Sequence, residues 1–284
     1  MSERGIMKTI VITGATSGLG KELVAQFAKD GNYKVFAGYR NSAKLEQLPD
    51  VEYFYIDLMQ SSSIVEAAEF IKSKVNKVDI LINTAGAVVA GPVEVLPAEK
   101  LREQFQINTF SHIEFTQNLL PVLEGSRVLN ISSMASFGHF PFISPYCASK
   151  RSLDIFFNAF ALENHKNIEV VSIKPGVIAT PIWEKSVKSN ENVLDNNVNY
   201  ALELKFLKNN ALSNTTKGLD VSVAARKIKN IAQKRRIKSS YLIGKDAVLA
   251  QFLSYFSQDF VNFLIKLGFK LKLYYSQKSS TISK

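Results

Sequence analysis

The sequence predicts an α/β fold: a doubly wound parallel sheet of about seven strands with helices on both faces, followed by C-terminal amphipathic helices. Three observations predict it. Short apolar runs alternate along the chain with longer amphipathic ones, the rhythm of strand–helix–strand units. The runs are rich in Val and Ile and nearly continuous in apolarity, as strands buried on both faces require. A glycine-rich turn stands between the first run and the first amphipathic stretch.

Taken in order, the strands are "TIVITG" (9–14), "KVFAGY" (34–39), "VEYFYID" (51–57), "VDILINTAG" (78–86), "SRVLNISS" (126–133), "IEVVSIKPG" (168–176) and "SSYLIG" (239–244). Helical patterns separate them at Lys21–Asp30, Ser62–Lys74, Leu101–Leu123, Tyr146–Asn164 and Val221–Lys234. The segment 181–216 breaks this rhythm. It is polar and Asn-rich, with weak helical pieces such as "YALELKFLK". It follows the sixth strand, and the carboxyl end of a strand in an open α/β sheet is where ligands bind, so it reads as a substrate-covering insertion. Residues 1–245 then form one dinucleotide-binding and catalytic unit, and 246–284 a basic amphipathic extension.

Composition sets bounds. At 284 residues and 46% apolar content, the chain can bury a sizeable core. One cysteine, Cys147, excludes an internal disulfide and fits a reducing compartment. No secretory signal pattern and no run of about 18 apolar residues is visible, so a cytoplasmic location is expected. The net charge of +10 is uneven: Arg226–Lys284 holds 13 Lys/Arg and 2 Asp/Glu, and the preceding residues sum to −1. A basic tail on a neutral body fits an anionic partner, such as a membrane surface at the periphery of the protein. A nucleic-acid partner is not expected, because no recognition motif or interleaved aromatic platform is present.

The turn "TGATSGLGKELVAQFA" places Gly14, Gly18 and Gly20 at G-x-x-x-G-x-G spacing between strand and helix. A tight turn there brings backbone N–H groups close to a pyrophosphate, the mark of a Rossmann-type dinucleotide site. The second strand ends "FAGYRN". Where an acid would bond a ribose 2′-hydroxyl stands Tyr39, followed by Arg40. A guanidinium can clamp a 2′-phosphate with two bonds, and Ser17 adds a hydroxyl, so NADP(H) is expected over NAD(H). Asp57, closing the third strand, is placed to accept from an adenine amine or to cap the next helix.

With "NTAG" (83–86), Asn108 in "QINTF", "ISSMAS" (131–136), "YCASK" (146–150) and "KPGVIAT" (174–180) in this order, the chain resembles the short-chain dehydrogenase/reductase family. Thr84 departs from the family's second asparagine. The resemblance implies that Tyr146 is the acid/base, Lys150 its modulator and Asn108 a water-holding relay residue. A serine 13 positions before the tyrosine selects Ser133 over Ser132. It also implies cofactor contacts from Gly14, Thr16, Ser17, Gly18, Leu19, Gly20, Arg40, Asp57, Leu58, Asn83, Ala85, Gly86, Tyr146, Lys150, Pro175, Gly176 and Thr180, with Val177 and Ile178 contributing backbone groups. No metal is expected. A homodimer or homotetramer is expected from the resemblance.

The spacing of "YCASK" has a physical reading. Residues four apart share a helical face. A free phenol has a pKa near 10. An ammonium about 4 Å away contributes roughly 4 kcal/mol at an effective dielectric of about 20, enough to bring the phenol towards pH 7. The branch resembled contains 17-beta-hydroxysteroid and retinol dehydrogenases and their bacterial relatives. It implies a lipophilic alcohol interconverted with its ketone or aldehyde. Phe137, Phe140, Phe142, Ile143, Ile182 and Trp183 would form an apolar pocket. The runner-up is a catalytically silent NADPH-binding regulator, which would be expected to have lost the tyrosine or the lysine. In the extension, Ala247–Phe256 and Phe260–Leu267 read as two helices, the second ended by Gly268. They could cover the substrate mouth, pack in a dimer or lie on a membrane.

Overall fold

The computed structural model describes residues 7–195 and 198–282. A single sheet of seven strands, all parallel, runs in the order β3-β2-β1-β4-β5-β6-β7. The strands are β1 (Lys8–Ile12), β2 (Tyr33–Tyr39), β3 (Val51–Tyr55), β4 (Ile80–Asn83), β5 (Arg127–Ile131), β6 (Glu169–Pro175) and β7 (Ser240–Ile243). The order reverses between β1 and β4, so the carboxyl ends of these two strands open a crevice.

Two apolar layers cover the sheet. On one face α1 (Gly18–Asp30) and α9 (Val221–Ala232) bury Leu23, Phe27, Ala224 and Ile228 against Ile10, Ile82 and Ile173. On the other, α2 (Ser61–Lys74), α4 (Ser111–Leu119) and α5 (Ser144–Glu163) bury Ile64, Ile71, Phe115, Leu119 and Phe157 against Val11, Leu81 and Val128. β1 and β4 contribute neighbouring side chains to opposite layers, because successive side chains of a strand alternate in direction. That is why their runs read as apolar without interruption.

Three elements differ from the sequence expectation. The single helix over Leu101–Leu123 is α3 (Ala98–Phe105), a π-helical turn (Gln106–Phe110) and α4. The turn holds Asn108, whose side chain is pulled towards the β4 loop, and π-turns of this kind collect at functional sites. The insertion is well formed: α6 (Ile182–Ser189), α7 (Glu191–Asp195) and the 17-residue α8 (Ala201–Lys217). In the extension, α10 (Lys245–Leu253) is followed by α11 (Gln258–Ile282), which runs through Gly268 instead of ending there. An interior glycine costs a helix about 1 kcal/mol. The next residue, Phe269, packs its ring 5.6 Å from Phe142 and 5.8 Å from Phe206, which holds the helix past that point.

Candidate active site

The glycine turn is built by contact as much as by conformation. Gly14 lies at φ +67°, and a Cβ there would stand 2.9 Å from the Cα of Ala85. The loop after β1 and the loop after β4 therefore touch at these two residues. Thr13 Oγ1 accepts from the N–H of Thr84 (3.0 Å) and of Ala85 (3.3 Å) and fixes that contact. Ala15 N–H donates to Gly38 O at 2.9 Å, drawing the turn to the end of β2. Thr180 packs against Gly18 from the loop after β6, its Cβ 3.2 Å from where a Gly18 side chain would begin.

The expected cofactor residues divide by what holds them. Thr16, Ser17, Gly18, Leu19 and Gly20 make the turn and the first residues of α1, which has no acid in its first turn and no side-chain cap. Arg40 is exposed one residue beyond β2. Tyr39, in place of an acid, packs edge-on against Tyr53 and Tyr55. Asp57 accepts from Met59 N–H at 3.0 Å and from Gln60 at 3.3 Å, so its carboxylate shapes the approach to α2. Leu58 is buried, and its carbonyl accepts from Gln106. Asn83 turns its amide into the sheet, donating to Asn130 Oδ1 at 2.8 Å, and the residue is fully buried. Gly86 is exposed; a Cβ there would lie 3.4 Å from Asn108 Oδ1 and 3.6 Å from Lys150 Nζ, so glycine keeps the way to the lysine open.

After β6, Pro175 ends the strand and Gly176 N–H donates to Ile243 O at 2.8 Å. Val177 departs from its expected role. Its N–H donates to Asp246 Oδ2 at 2.6 Å and its carbonyl accepts from Leu219 at 2.8 Å, so both of its backbone groups are taken within the chain. The Ile178 carbonyl accepts from the Trp183 indole at 2.9 Å. Among the described residues no acceptor is seen for the Ile178 N–H or the Thr180 N–H, the groups in this loop left for a ligand.

Tyr146, on the first turn of α5, lies beside Ser133, whose hydroxyl acts to lower the phenol's pKa. Desolvation outweighs that effect and pushes the phenol up to about 12. Ser133 Oγ also accepts from Ala135 N–H at 3.1 Å, whereas Ser132 turns towards the Lys150 carbonyl at 3.4 Å. Lys150 is buried, and its ammonium donates to the Ile131 carbonyl at 2.7 Å. Burial lowers it to about 8, against the opposing pull of Asp154. The expected descent of the phenol towards pH 7 is therefore not reached: burial of the phenol dominates, and the ammonium is itself turned to a backbone carbonyl. The Asn108 side chain is occupied within the chain. Its amide donates to Ala87 O (3.0 Å) and Ser149 Oγ (3.1 Å) and accepts from Ala87 N–H (2.9 Å). Its side chain is a brace between loop and helix, which leaves its backbone as the part that could hold a water.

Several residues act here that the sequence reading did not single out. Asp154, one turn beyond Lys150, accepts from Ser172 at 2.5 Å and pairs with Lys174 at 2.7 Å, both groups buried. His112 Nε2 donates to Ala85 O (2.9 Å); burial, then the charge of Lys150, lowers the imidazole to about 3, so it is neutral. Asp246 holds the β6 loop, and Lys185 reaches Ser17 Oγ at 2.9 Å. An acid right after the last strand, in "GKD", was a legible helix-start signal; Lys185 had none. Among the described residues no cluster of His, Cys, Asp and Glu could hold a metal.

The apolar side of the site is uneven. Phe142 adopts φ +66°, its carbonyl accepts from Gly91 at 2.7 Å, and its ring meets Tyr200 at 6.0 Å and Phe269 at 5.6 Å. Phe140, Ile143 and Ile182 are half-buried. Phe137 instead lies under the Lys174 ammonium, 4.5 Å from its ring centre, and the Trp183 indole is tied to the backbone.

The chain matches the family model described as short chain dehydrogenase over residues 8–191. It is 35% identical over 240 residues to a probable short-chain type dehydrogenase/reductase, VdlC, of Helicobacter pylori, covering 82% of this chain and 87% of that one. It is 32% identical over 171 residues to the 3-ketodihydrosphingosine reductase of Bacteroides thetaiotaomicron, covering 59% and 62%. A solved short-chain dehydrogenase of Streptomyces avermitilis superposes with a TM-score of 0.74 at 23% identity, over 95% of this chain and 98% of that one.

Proposed function

The chain belongs to the short-chain dehydrogenase/reductase family of oxidoreductases acting on CH–OH groups, and from that premise we propose that it is an NADP(H)-dependent enzyme interconverting a lipophilic alcohol and its ketone or aldehyde. The observation that carries the proposal is Tyr146 with Ser133 beside it and Lys150 buried one turn further along α5, in a chain whose glycine turn packs on the loop after β4. The bare glycines at the strand ends, the uncapped start of α1 and the open approach at Gly86 fit a nicotinamide dinucleotide.

The bound dinucleotide would supply the hydride and, once oxidised, a positive ring. Ser133 holds the substrate oxygen by a hydrogen bond, and Tyr146 gives that oxygen its proton. A phenol at about 12 is protonated throughout the neutral range, the form that a reductive step requires. Lys150 brings positive charge behind the phenol as the proton leaves and can re-protonate it. Asn108 and Gly86 keep the passage to that ammonium in shape. Tyr146→Phe should abolish turnover in an NADPH-oxidation assay with a ketone panel and leave NADPH affinity within a few-fold. Ser133→Ala should reduce turnover by about a hundredfold and Ser132→Ala should not. Equal losses at the two serines would sink the assignment.

The NADP(H) preference is supported by Arg40 beside Tyr39, with no carboxylate at that strand end to repel a 2′-phosphate. Arg40→Asp should weaken NADPH by about tenfold or more and improve NADH. A lipophilic substrate is supported by the aromatic group of Phe142, Tyr200, Phe206 and Phe269, which joins the catalytic loop, α8 and α11, and by the ketone in the name of the sphingosine-related reductase. Peripheral membrane contact is supported by the outer face of α10 and α11. Val248, Leu249, Phe252, Phe263 and Leu267 are exposed there, beside Lys266 and Lys270. No helix among the described residues is long and apolar enough to cross a membrane.

A further inference from the structure

The covering segment carries a lysine into the cofactor turn. Residues 13–20 contain no Lys or Arg, and the first base after them, Lys21, is paired with Glu46 at 2.6 Å. Ser17 is the N-cap residue of α1, with extended backbone, yet its hydroxyl makes no cap to its own helix. That hydroxyl instead accepts from Lys185 Nζ at 2.9 Å, a contact spanning 168 positions of sequence. α6 is pinned where it must be for this reach. Trp183 donates to Ile178 O, and Ser186 and Asn190 both donate to Val88 O at 3.0 Å. Its inner face is thereby locked to the loops after β6 and β4, while Lys185 leans the other way to the glycine turn.

We infer that Lys185 is a phosphate-binding residue for the dinucleotide, delivered by the covering segment to the turn that has no base of its own. The inference rests on the dinucleotide reading given above. The N-terminal end of α1 already favours an anion. An ammonium held on the adjoining hydroxyl adds a full charge and a donor to the same spot, and a phosphate oxygen would bond both Ser17 and Lys185. Docking of α6 and cofactor affinity are then coupled, because the segment that covers the substrate also grips the cofactor.

The test is equilibrium titration of NADPH and NADH, by nicotinamide fluorescence, into wild type, K185Q and K185R at two salt concentrations. K185Q should weaken NADPH by about tenfold, flatten the salt dependence of its affinity, and lessen the protection of residues 182–217 from proteolysis at saturating NADPH. K185R, which keeps the charge, should stay within about threefold. Equal weakening of NADH places the contact at the pyrophosphate; weakening of NADPH alone places it at the 2′-phosphate. Either supports the role. Unchanged affinities in K185Q, or equal losses in K185Q and K185R, overturn it while leaving the cofactor reading intact. A wild-type chain that binds neither dinucleotide overturns the cofactor reading itself.

Discussion

Tyr146 and Lys150 share a face of α5, but different neighbours set their protons. The phenol is held up at about 12 by desolvation, and the ammonium is brought down to about 8 by burial, partly restored by Asp154. A lysine with a lowered pKa keeps its charge below about 8 and loses it above. Reduction needs both the phenol proton, present throughout, and the lysine charge. Reductive turnover at saturating NADPH should therefore be level on the acid side and fall as pH rises through about 8. Asp154→Asn removes the carboxylate that favours the charged lysine, so that limb should move to lower pH. It also leaves Lys174 without its buried partner, so some loss of stability is expected as well. Stability loss alone would not move the limb. Paired pH–rate profiles decide: a limb that stays put in Asp154→Asn would show that Asp154 serves only the fold. The sequence made the Tyr146–Lys150 spacing legible, since four residues are one helical turn. It could not show Ile131 as the partner of the ammonium, because that carbonyl arrives from a strand 19 positions away.

At the scale of the element, the extension does not begin as an appendage. Asp246 stands on the first turn of α10, accepts from Val177 and crowds Gly176, where a Cβ would lie 1.9 Å from its Oδ1. Ala247 is fully buried. Gly176→Ala should therefore cost about 1–3 kcal/mol of stability and perturb the β6 loop. Asp246→Ala frees that space at the expense of the Val177 bond. The double variant should be more stable than the sum of the two single losses, by more than about 0.5 kcal/mol in denaturant melts. Additive losses would mean that α10 and the β6 loop do not meet. The same contact argues for cutting the chain at 257, between α10 and α11, when α11 is to be removed. That truncation should leave NADPH binding intact and raise KM for bulky ketones, since Phe269 and Asn262 rest on Phe142 and His139. Unfolding of the truncated chain would instead place α11 in the core.

At the scale of the whole molecule, the charge is uneven along the chain and α11 carries exposed apolar residues. The sequence from Arg226 onward is strongly basic and the residues before it are near neutral, and α11 leaves Phe263 and Leu267 exposed while Phe269 packs on Phe142. A helix that is anchored on one side and apolar on the other buries its outer side only against something else. Wild type should sediment with anionic vesicles at low salt and less at high salt, each basic contact adding about 1 kcal/mol. Phe263→Glu with Leu267→Glu, both at exposed positions, should abolish sedimentation with the fold unchanged. Wild type that ignores anionic vesicles at low salt would refute membrane contact and leave a second protein surface as the cover for this face.

Periodicity and spacing determined the sheet, its helices and the glycine turn, because each is written in residues close together in the chain; Asn108, Ser133, Tyr146 and Lys150 became candidates through the family resemblance. Buried parallel strands must be apolar throughout, a phosphate turn must have glycines, and a helical pair must be four apart. Only the tertiary structure decided the rest. Asn83 faces the sheet, Val177 gives its N–H to Asp246, Lys185 reaches Ser17, and Gly268 does not end its helix. Each of these depends on a partner from a distant segment, and a bond across 69 or 168 positions leaves no periodic trace in the sequence that makes it.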